Sequence, residues 1–301
     1  MTTKANTSPK KPYVPHAWET VPCPFCDSHS SSVYERFGSD LQYRYVRCRQ
    51  CGLVYSSPRP VYDKTFIDAA YADYYQYSAS LTLEQFNAVK ESGADMFRQE
   101  LQHLLKFDQK RTAVLDIGSG MGTFLYAAKE HYPVRVGIDV SEKMAAFVSQ
   151  TLDVEVQLVP FEQFTYPVKF SLIHMSHVLE HVPNPKEWLK KAHSLLDKDG
   201  ILVINVPHAW SLGSRLQHFF VRLGLKEQFS DAWKDPSRTP DHLFEPVIPA
   251  MKYLLAECNL KIMDHFTYSR RDPASNKNWR SRLFNRRFHL GSNLSFITKA
   301  Q

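Results

Sequence analysis

Apolar and polar positions along the chain fall into blocks with two different periods. Residues 113–117, Ala-Val-Leu-Asp-Ile, form a short apolar run closed at once by glycines, the pattern of a strand covered on both faces. A helical pattern begins near Met121, and a second short apolar run follows over 134–138. Strands are predicted over 154–158, 170–175 and 201–206, with a helix over 186–196 and a turn at Lys198-Asp199-Gly200. A helix over 249–258 and strands over 260–266 and 293–299 complete an alternating order that predicts an open α/β sheet. Ahead of it, a long amphipathic helix is predicted over 83–107. Aromatic-rich alternation over 33–37 and 41–47 predicts a hairpin.

Four of the five cysteines flank that hairpin as Cys23-Pro-Phe-Cys26 and Cys48-Arg-Gln-Cys51-Gly52. Two such short knuckles can bring four thiolates around one tetrahedral Zn²⁺, and the closing glycine permits the tight turn. Four thiolates fill the coordination sphere, so the expected ion is structural. Two disulfides or four free thiols are the alternatives, and they fit poorly with an N-terminus that shows no export signal. Cys258, alone in an apolar helical pattern, is expected in the core.

The glycine loop carries the next expectation. Gly118, Gly120 and Gly122 let the backbone turn sharply between strand and helix, and the helix start beyond them offers unpaired N–H groups to an anionic ligand. The second strand ends in Asp139, an acid suited to ribose hydroxyls. A strand, a glycine loop, a helix and a second strand ending in an acid point together to an adenosine-containing cofactor.

The run Val114-Leu-Asp-Ile-Gly-Ser-Gly-Met-Gly122 resembles the first motif of class I S-adenosylmethionine (SAM)-dependent methyltransferases, where an acid (here Asp116) precedes the first glycine. Ser176-His-Val-Leu-Glu-His-Val-Pro-Asn-Pro185 is similar to the "LEHV" signature of bacterial small-molecule and ubiquinone-pathway O-methyltransferases. Ser171 stands where that family commonly has an aspartate. The resemblance implies a Rossmann-like seven-stranded sheet behind a small zinc-ribbon-like module. It implies SAM contacts from Asp116, Gly118, Ser119, Gly120, Gly122, Asp139, Val140, Phe161, Glu162, Ser176 and His177. The implied organisation is a flexible tail (1–20), a zinc-binding module (21–60), a helical connector or cofactor lid (61–110) and the methyltransferase domain (111–301). Residues 207–246, rich in aromatic and basic side chains, form a substrate-lid insertion in that scheme. The tyrosines Tyr71, Tyr74, Tyr75 and Tyr77 are expected either to close over the cofactor or to pack the module onto the core.

Methyl transfer from a sulfonium asks the protein to position an acceptor and remove its proton. Glu180 and His181 are expected to face the acceptor, with His181 the first candidate for general base because imidazole titrates near neutrality. His208, directly after the fifth strand, and His242, in Thr-Pro-Asp-His-Leu-Phe, are further candidates. For each of the four a purely structural role is the alternative. His177-Val-Leu-Glu180-His181 also fits the H-x-x-E-H pattern of inverted zinc peptidases, but it follows a buried strand, and Pro183 and Pro185 interrupt the long helix that such enzymes need.

Composition changes this picture little. The chain of 301 residues is 43% hydrophobic and 23% charged, with no apolar stretch long enough to span a bilayer, and a cytoplasmic protein is the expectation. The net charge of +6 is modest, but residues 270–289 are densely basic. That run is either a solvated face or a site for phosphate. The leading expectation is O-methylation of a small molecule, such as a glycan or phosphate-bearing metabolite. An RNA methyltransferase and a non-catalytic SAM- or zinc-binding scaffold are the alternatives, and the oligomeric state stays open.

Overall fold

A computed structural model describes residues 14–37, 43–223, 241–269 and 289–301. The basic run over 270–288 and the middle of the aromatic insertion (224–240) lie outside the described residues, as does the tail over 1–13.

The module at the front consists of β1 (Trp18–Glu19), β2 (Ser31–Phe37), β3 (Tyr43–Cys48), β4 (Val54–Ser56) and β5 (Arg59–Pro60). Strands β2 and β3 form the expected antiparallel hairpin, which puts the two cysteine knuckles at one end of the ladder. Helices α1 (Lys64–Ala70), α2 (Ala72–Ser80) and α3 (Leu83–Leu104) lead to the main sheet. The start of α3 is fixed by a capping box: Gln85 N–H donates to the Thr82 hydroxyl while Thr82 N–H donates to the Gln85 side chain.

The main domain runs β6 (Ala113–Ile117), α4 (Thr123–Ala127), β7 (Val134–Ile138), α5 (Glu142–Leu152), β8 (Glu155–Gln157), β9 (Phe170–Ser176), α6 (Pro185–Leu195) and β10 (Leu196–Pro207). It continues with α7 (Leu212–Arg222), β11 (Phe244–Glu245), α8 (Ile248–Glu257), β12 (Leu260–Tyr268) and β13 (Asn293–Ala300). Seven strands lie in the order β12-β13-β10-β9-β6-β7-β8, parallel except for β13, which is antiparallel to both neighbours. The predicted turn at Lys198-Asp199-Gly200 is instead a register shift inside β10, with Asp199 at φ +69°. A Cβ on Gly200 would sit 2.8 Å from the Phe170 carbonyl, so the strand stays continuous only with glycine there.

Alternation along the central strands divides the core. Leu115, Ile117, Ile173, Met175, Leu202 and Ile204 pack with α6 and α8, and Val114, Leu172, Ile201, Val203 and Ile297 pack with α3, α4 and α5. Asp116, His174 and Asn205 therefore face α3. The chain leaves β6 toward β7 and later returns on the other side to β9, so a crevice opens above the carboxyl end of β6, where such sheets bind ligands.

The module and the main domain share a sheet. Strand β11, from the main domain, pairs antiparallel with β4 and completes the order β11-β4-β3-β2. Ser56 N–H donates to the Leu243 carbonyl, the Tyr45 hydroxyl donates to the His242 carbonyl at 2.8 Å, and the rings of Phe25 and Phe244 meet edge to face at 5.0 Å. No helix among the described residues is long and apolar enough to cross a membrane.

Candidate active site

The loop after β6 is held from below. Gly118 and Ser119 N–H groups both donate to the Ile138 carbonyl, and Gly120 N–H donates to Asp139 Oδ2 at 2.7 Å. Gly118 has φ +72°, and a Cβ there would lie 2.4 Å from Val178, so the loop following β9 seals directly onto it. A Cβ on Gly120 would meet nothing within 4 Å, because that glycine borders open space. Gly122 caps α4 and packs against Val148. Asp139 is saturated on one side: Oδ1 accepts from Ser141 N–H at 2.8 Å and from the Tyr74 hydroxyl at 3.1 Å. The apolar side chain of Val140 next to it is 65% exposed, a surface a flat ring can cover.

Beneath the loop lies a buried polar chain. Asp116 Oδ1 accepts from His174 Nδ1 at 2.7 Å, and His174 stacks on Phe124 at 3.8 Å. Glu100, on α3, accepts from Asn205 at 2.8 Å and lies 3.7 Å from His174 Nε2. Burial opposes charge on His174, but the carboxylates of Asp116 and Glu100 outweigh it and raise the imidazole to about 9.

Across the crevice stands a second cluster. His177 adopts φ +56° at the end of β9, with Nδ1 donating to Glu180 Oε1 at 3.0 Å. Glu180 is fully buried. Burial pushes its carboxyl up, yet the His177 hydrogen bond and the imidazoles of His181 and His242 bring it below the ordinary range. His181 Nδ1 donates to the Asp241 carbonyl at 2.8 Å, which leaves Nε2 with its lone pair. Burial is the strongest influence on His181 and keeps its imidazole below the usual value. His242 sits 4.9 Å away, ring centre to ring centre, and the Tyr71 ring is 5.8 Å from His181. Burial would lower His242, but its contact with Glu245 and the charges of Glu180, Glu245 and Asp241 raise it to about 9.

The other candidates lie elsewhere. His208 is buried and donates from Nδ1 to the Gly291 carbonyl. Phe161 is turned inward against Trp188 at 4.9 Å, and the Glu162 carboxylate accepts from Trp188 Nε1, so both side chains serve α6. Ser176 ends β9 opposite Asn205. The four cysteine sulfurs lie within 4.8 Å of one another, with Cys23–Cys51 and Cys26–Cys48 each at 3.5 Å, and Cys258 is buried in the core.

The profile of a family described as "Methyltransferase domain" matches residues 91–265, more than half of the chain. The chain belongs to this methyltransferase family. Ubiquinone biosynthesis O-methyltransferase of Coxiella burnetii is 30% identical to it over 95 residues, 30% of this chain and 41% of that protein. Carnitine O-palmitoyltransferase 2 of Bos taurus is 28% identical over 100 residues, 33% of this chain and 14% of that protein. The methyltransferase thus spans less than half the length of these curated relatives. The SAH-bound magnesium protoporphyrin IX methyltransferase of Synechocystis PCC 6803 superposes with a TM-score of 0.51 at 15% identity, covering 79% of this chain and 100% of that one. That likeness concerns the fold.

Three features of the methyltransferase escape a motif reading. Glu100, His174 and Asn205 join Asp116 from three separate elements, and the local signals are single polar residues, His174 and Asn205, inside mainly apolar strands. Tyr74 was one of four adjacent tyrosines, and only the fold selects it for Asp139. Asp241 and Glu245 orient the two histidines from positions with no motif of their own.

Proposed function

We propose that this methyltransferase transfers its methyl group to a hydroxyl of a small molecule, such as a glycan or a phosphate-bearing metabolite, behind a structural zinc site. The observation that carries this is the His181 imidazole, tied through Nδ1 to Asp241 and bare at Nε2, beside Glu180 and His242. Bound SAM supplies a methyl carbon already activated by its sulfonium. The glycine loop and Asp139 would hold the cofactor's ribose, and the exposed Val140 would offer the adenine an apolar surface. Asp116 keeps its place through His174. His177 and Val178 close the loop's far side, and the hydroxyl comes to lie against Nε2 of His181. The O-methyltransferase named above supports an oxygen acceptor, since it is the relative with the highest identity described here.

Two further observations support the reading. Arg47, stacked 4.2 Å over Trp210, and Arg49 line a cleft of about 380 Å³ between the second knuckle and the start of α8, suited to a sugar face and an anionic group. The cysteine sulfurs fit zinc: tetrahedral ligands at about 2.3 Å stand about 3.8 Å apart, close to the 3.5 Å separations observed. Zinc there would tie the two knuckles together and leave no open coordination position.

The cofactor assignment is tested by calorimetry with S-adenosylhomocysteine. Asp139→Ala should weaken binding by about 100-fold or more, because charge-assisted hydrogen bonds are lost, with zinc content unchanged. Parent-like affinity in that variant would sink the assignment. Hydroxylated sugars, phosphorylated metabolites and RNA are then compared as acceptors, and methylation of RNA alone would overturn the small-molecule reading.

A further inference from the structure

One potential ligand atom from each of Glu180, His181 and His242 lies within 4.8 Å of the other two. Both histidines are held in the manner of metal-bound imidazoles. His181 donates from Nδ1 to the Asp241 carbonyl at 2.8 Å, and His242 from Nδ1 toward the Glu245 carboxylate at 3.4 Å. Such anchoring orients each ring and leaves Nε2 as the atom that an ion would take, on His242 in place of its proton. Glu180 is fully buried. Its Oε1 accepts the His177 proton, while Oε2 is buried without a partner. Edge-to-face packing accounts for the two rings, but not for a desolvated carboxylate oxygen left unpaired on the neighbouring Glu180.

We propose that Glu180, His181 and His242 bind one divalent transition-metal ion through two imidazole nitrogens and one carboxylate oxygen. His177 and Glu245 hold the ligands from behind. Atoms about 2.0–2.2 Å from a common ion lie roughly 3–4 Å from each other, so the three need only small side-chain movements to close on it. The mixed nitrogen and oxygen set suits Mn²⁺, Fe²⁺, Co²⁺ or Zn²⁺ better than Ca²⁺. Three protein ligands leave positions open.

The role of the ion rests on the reading above that the acceptor is a hydroxyl compound. The hydroxyl, or a vicinal pair of them, occupies the open positions, where the positive charge lowers its pKa and its proton passes to water. The oxygen lone pair then forms the bond to the methyl carbon. The electrons of the broken carbon–sulfur bond return to sulfur, which becomes a neutral thioether. His181 on this account is a ligand, and the ion replaces it as the group that activates the acceptor.

Mn²⁺ is the probe, because a hard ion avoids the four thiols of the other cluster. Full-length protein, its cysteine site left as purified, is titrated with Mn²⁺ while the paramagnetic resonance signal of the free ion is followed. The expected result is one Mn²⁺ per chain, with affinity reduced about tenfold or more in both Glu180→Gln and His242→Gln. Affinity for S-adenosylhomocysteine serves as the folding control. Should the buried Glu180→Gln fail to fold, the half-buried His242→Gln decides alone. No uptake by the parent protein at millimolar Mn²⁺, or unchanged affinity in a folded variant, overturns the site. Uptake that both variants lose, with no hydroxylated acceptor methylated, supports the ion site and overturns the acceptor reading instead.

Discussion

His208 sits directly after β10 with 6% of its surface exposed, donating to the Gly291 carbonyl at 3.1 Å. Burial is the main reason its imidazole is held down at about 4, with the nearby Arg215 and His289 acting in the same direction. The unfolded chain takes up a proton near the ordinary histidine value, so between about pH 6.5 and 4 it binds more protons than the folded one. Stability from this residue is therefore present at neutral pH and is lost on acidification. Between about pH 7 and 5.5 the loss is on the order of 1 kcal/mol, roughly 2 °C of melting temperature for a chain this long. Melting curves of the parent and His208→Asn should differ in acid sensitivity by about that amount, the variant being flatter; parallel curves would refute the cause. Asp116 illustrates what a motif conceals at this scale. Its position before the glycines was legible because the loop is contiguous, whereas its partner His174 becomes adjacent only through the register of β6 and β9.

Helix α2 is an element whose position the sequence pattern did not determine. It is hooked onto the loop between β7 and α5 by three contacts: Tyr74 to Asp139, Ser78 to Ser141, and Lys143 to the Ala79 carbonyl. A carboxylate offers about four acceptor sites. Asp139 already uses three, on Gly120 N–H, Ser141 N–H and the Tyr74 hydroxyl. In the cofactor site proposed above a ribose would present two hydroxyls to it, so one existing donor would have to leave, and the two backbone donors are fixed by the loop. The Tyr74 hydroxyl is the one that can move. Tyr74→Phe should therefore tighten S-adenosylhomocysteine binding by roughly fivefold, the worth of one hydrogen bond, as read by calorimetry. Weaker binding would mean that the hydroxyl serves the bound state instead. Long elements with a clear period, such as α3 and the central strands, were legible to within a few residues. Helix α2 was not, because its tyrosines follow no single face and its place depends on α5.

At the scale of the whole molecule, a linear division into module and domain misses the main joint. The hairpin was readable from its alternation, but β11 is two residues long and carries no period, so its pairing with β4 emerges only in three dimensions. Through that pairing the cysteine cluster reaches the site by a short path. Cys48 ends β3, β3 pairs with β4, β4 pairs with β11, and Leu243 N–H just before β11 donates to the Glu180 carbonyl at 2.8 Å. Tyr45 adds a direct bond to the His242 carbonyl. The glycine loop hangs on Ile138 and Asp139 in the other half of the sheet and has no share in this path. Loss of the proposed zinc should therefore act unevenly, since a structural ion contributes its binding free energy to the fold around it. After chelation, or in Cys48→Ser, amide hydrogen exchange over 43–56 should accelerate together with that over 241–247, while 113–117 keeps its protection. S-adenosylhomocysteine binding should survive to within about threefold, because the acids and glycines proposed to hold it stay in place. Acceleration confined to 43–56 would show that β11 is held by the main domain alone. Loss of protection over 113–117 as well would make the chain one cooperative unit, with the cysteine module as part of its core and not a support for one wall of the site.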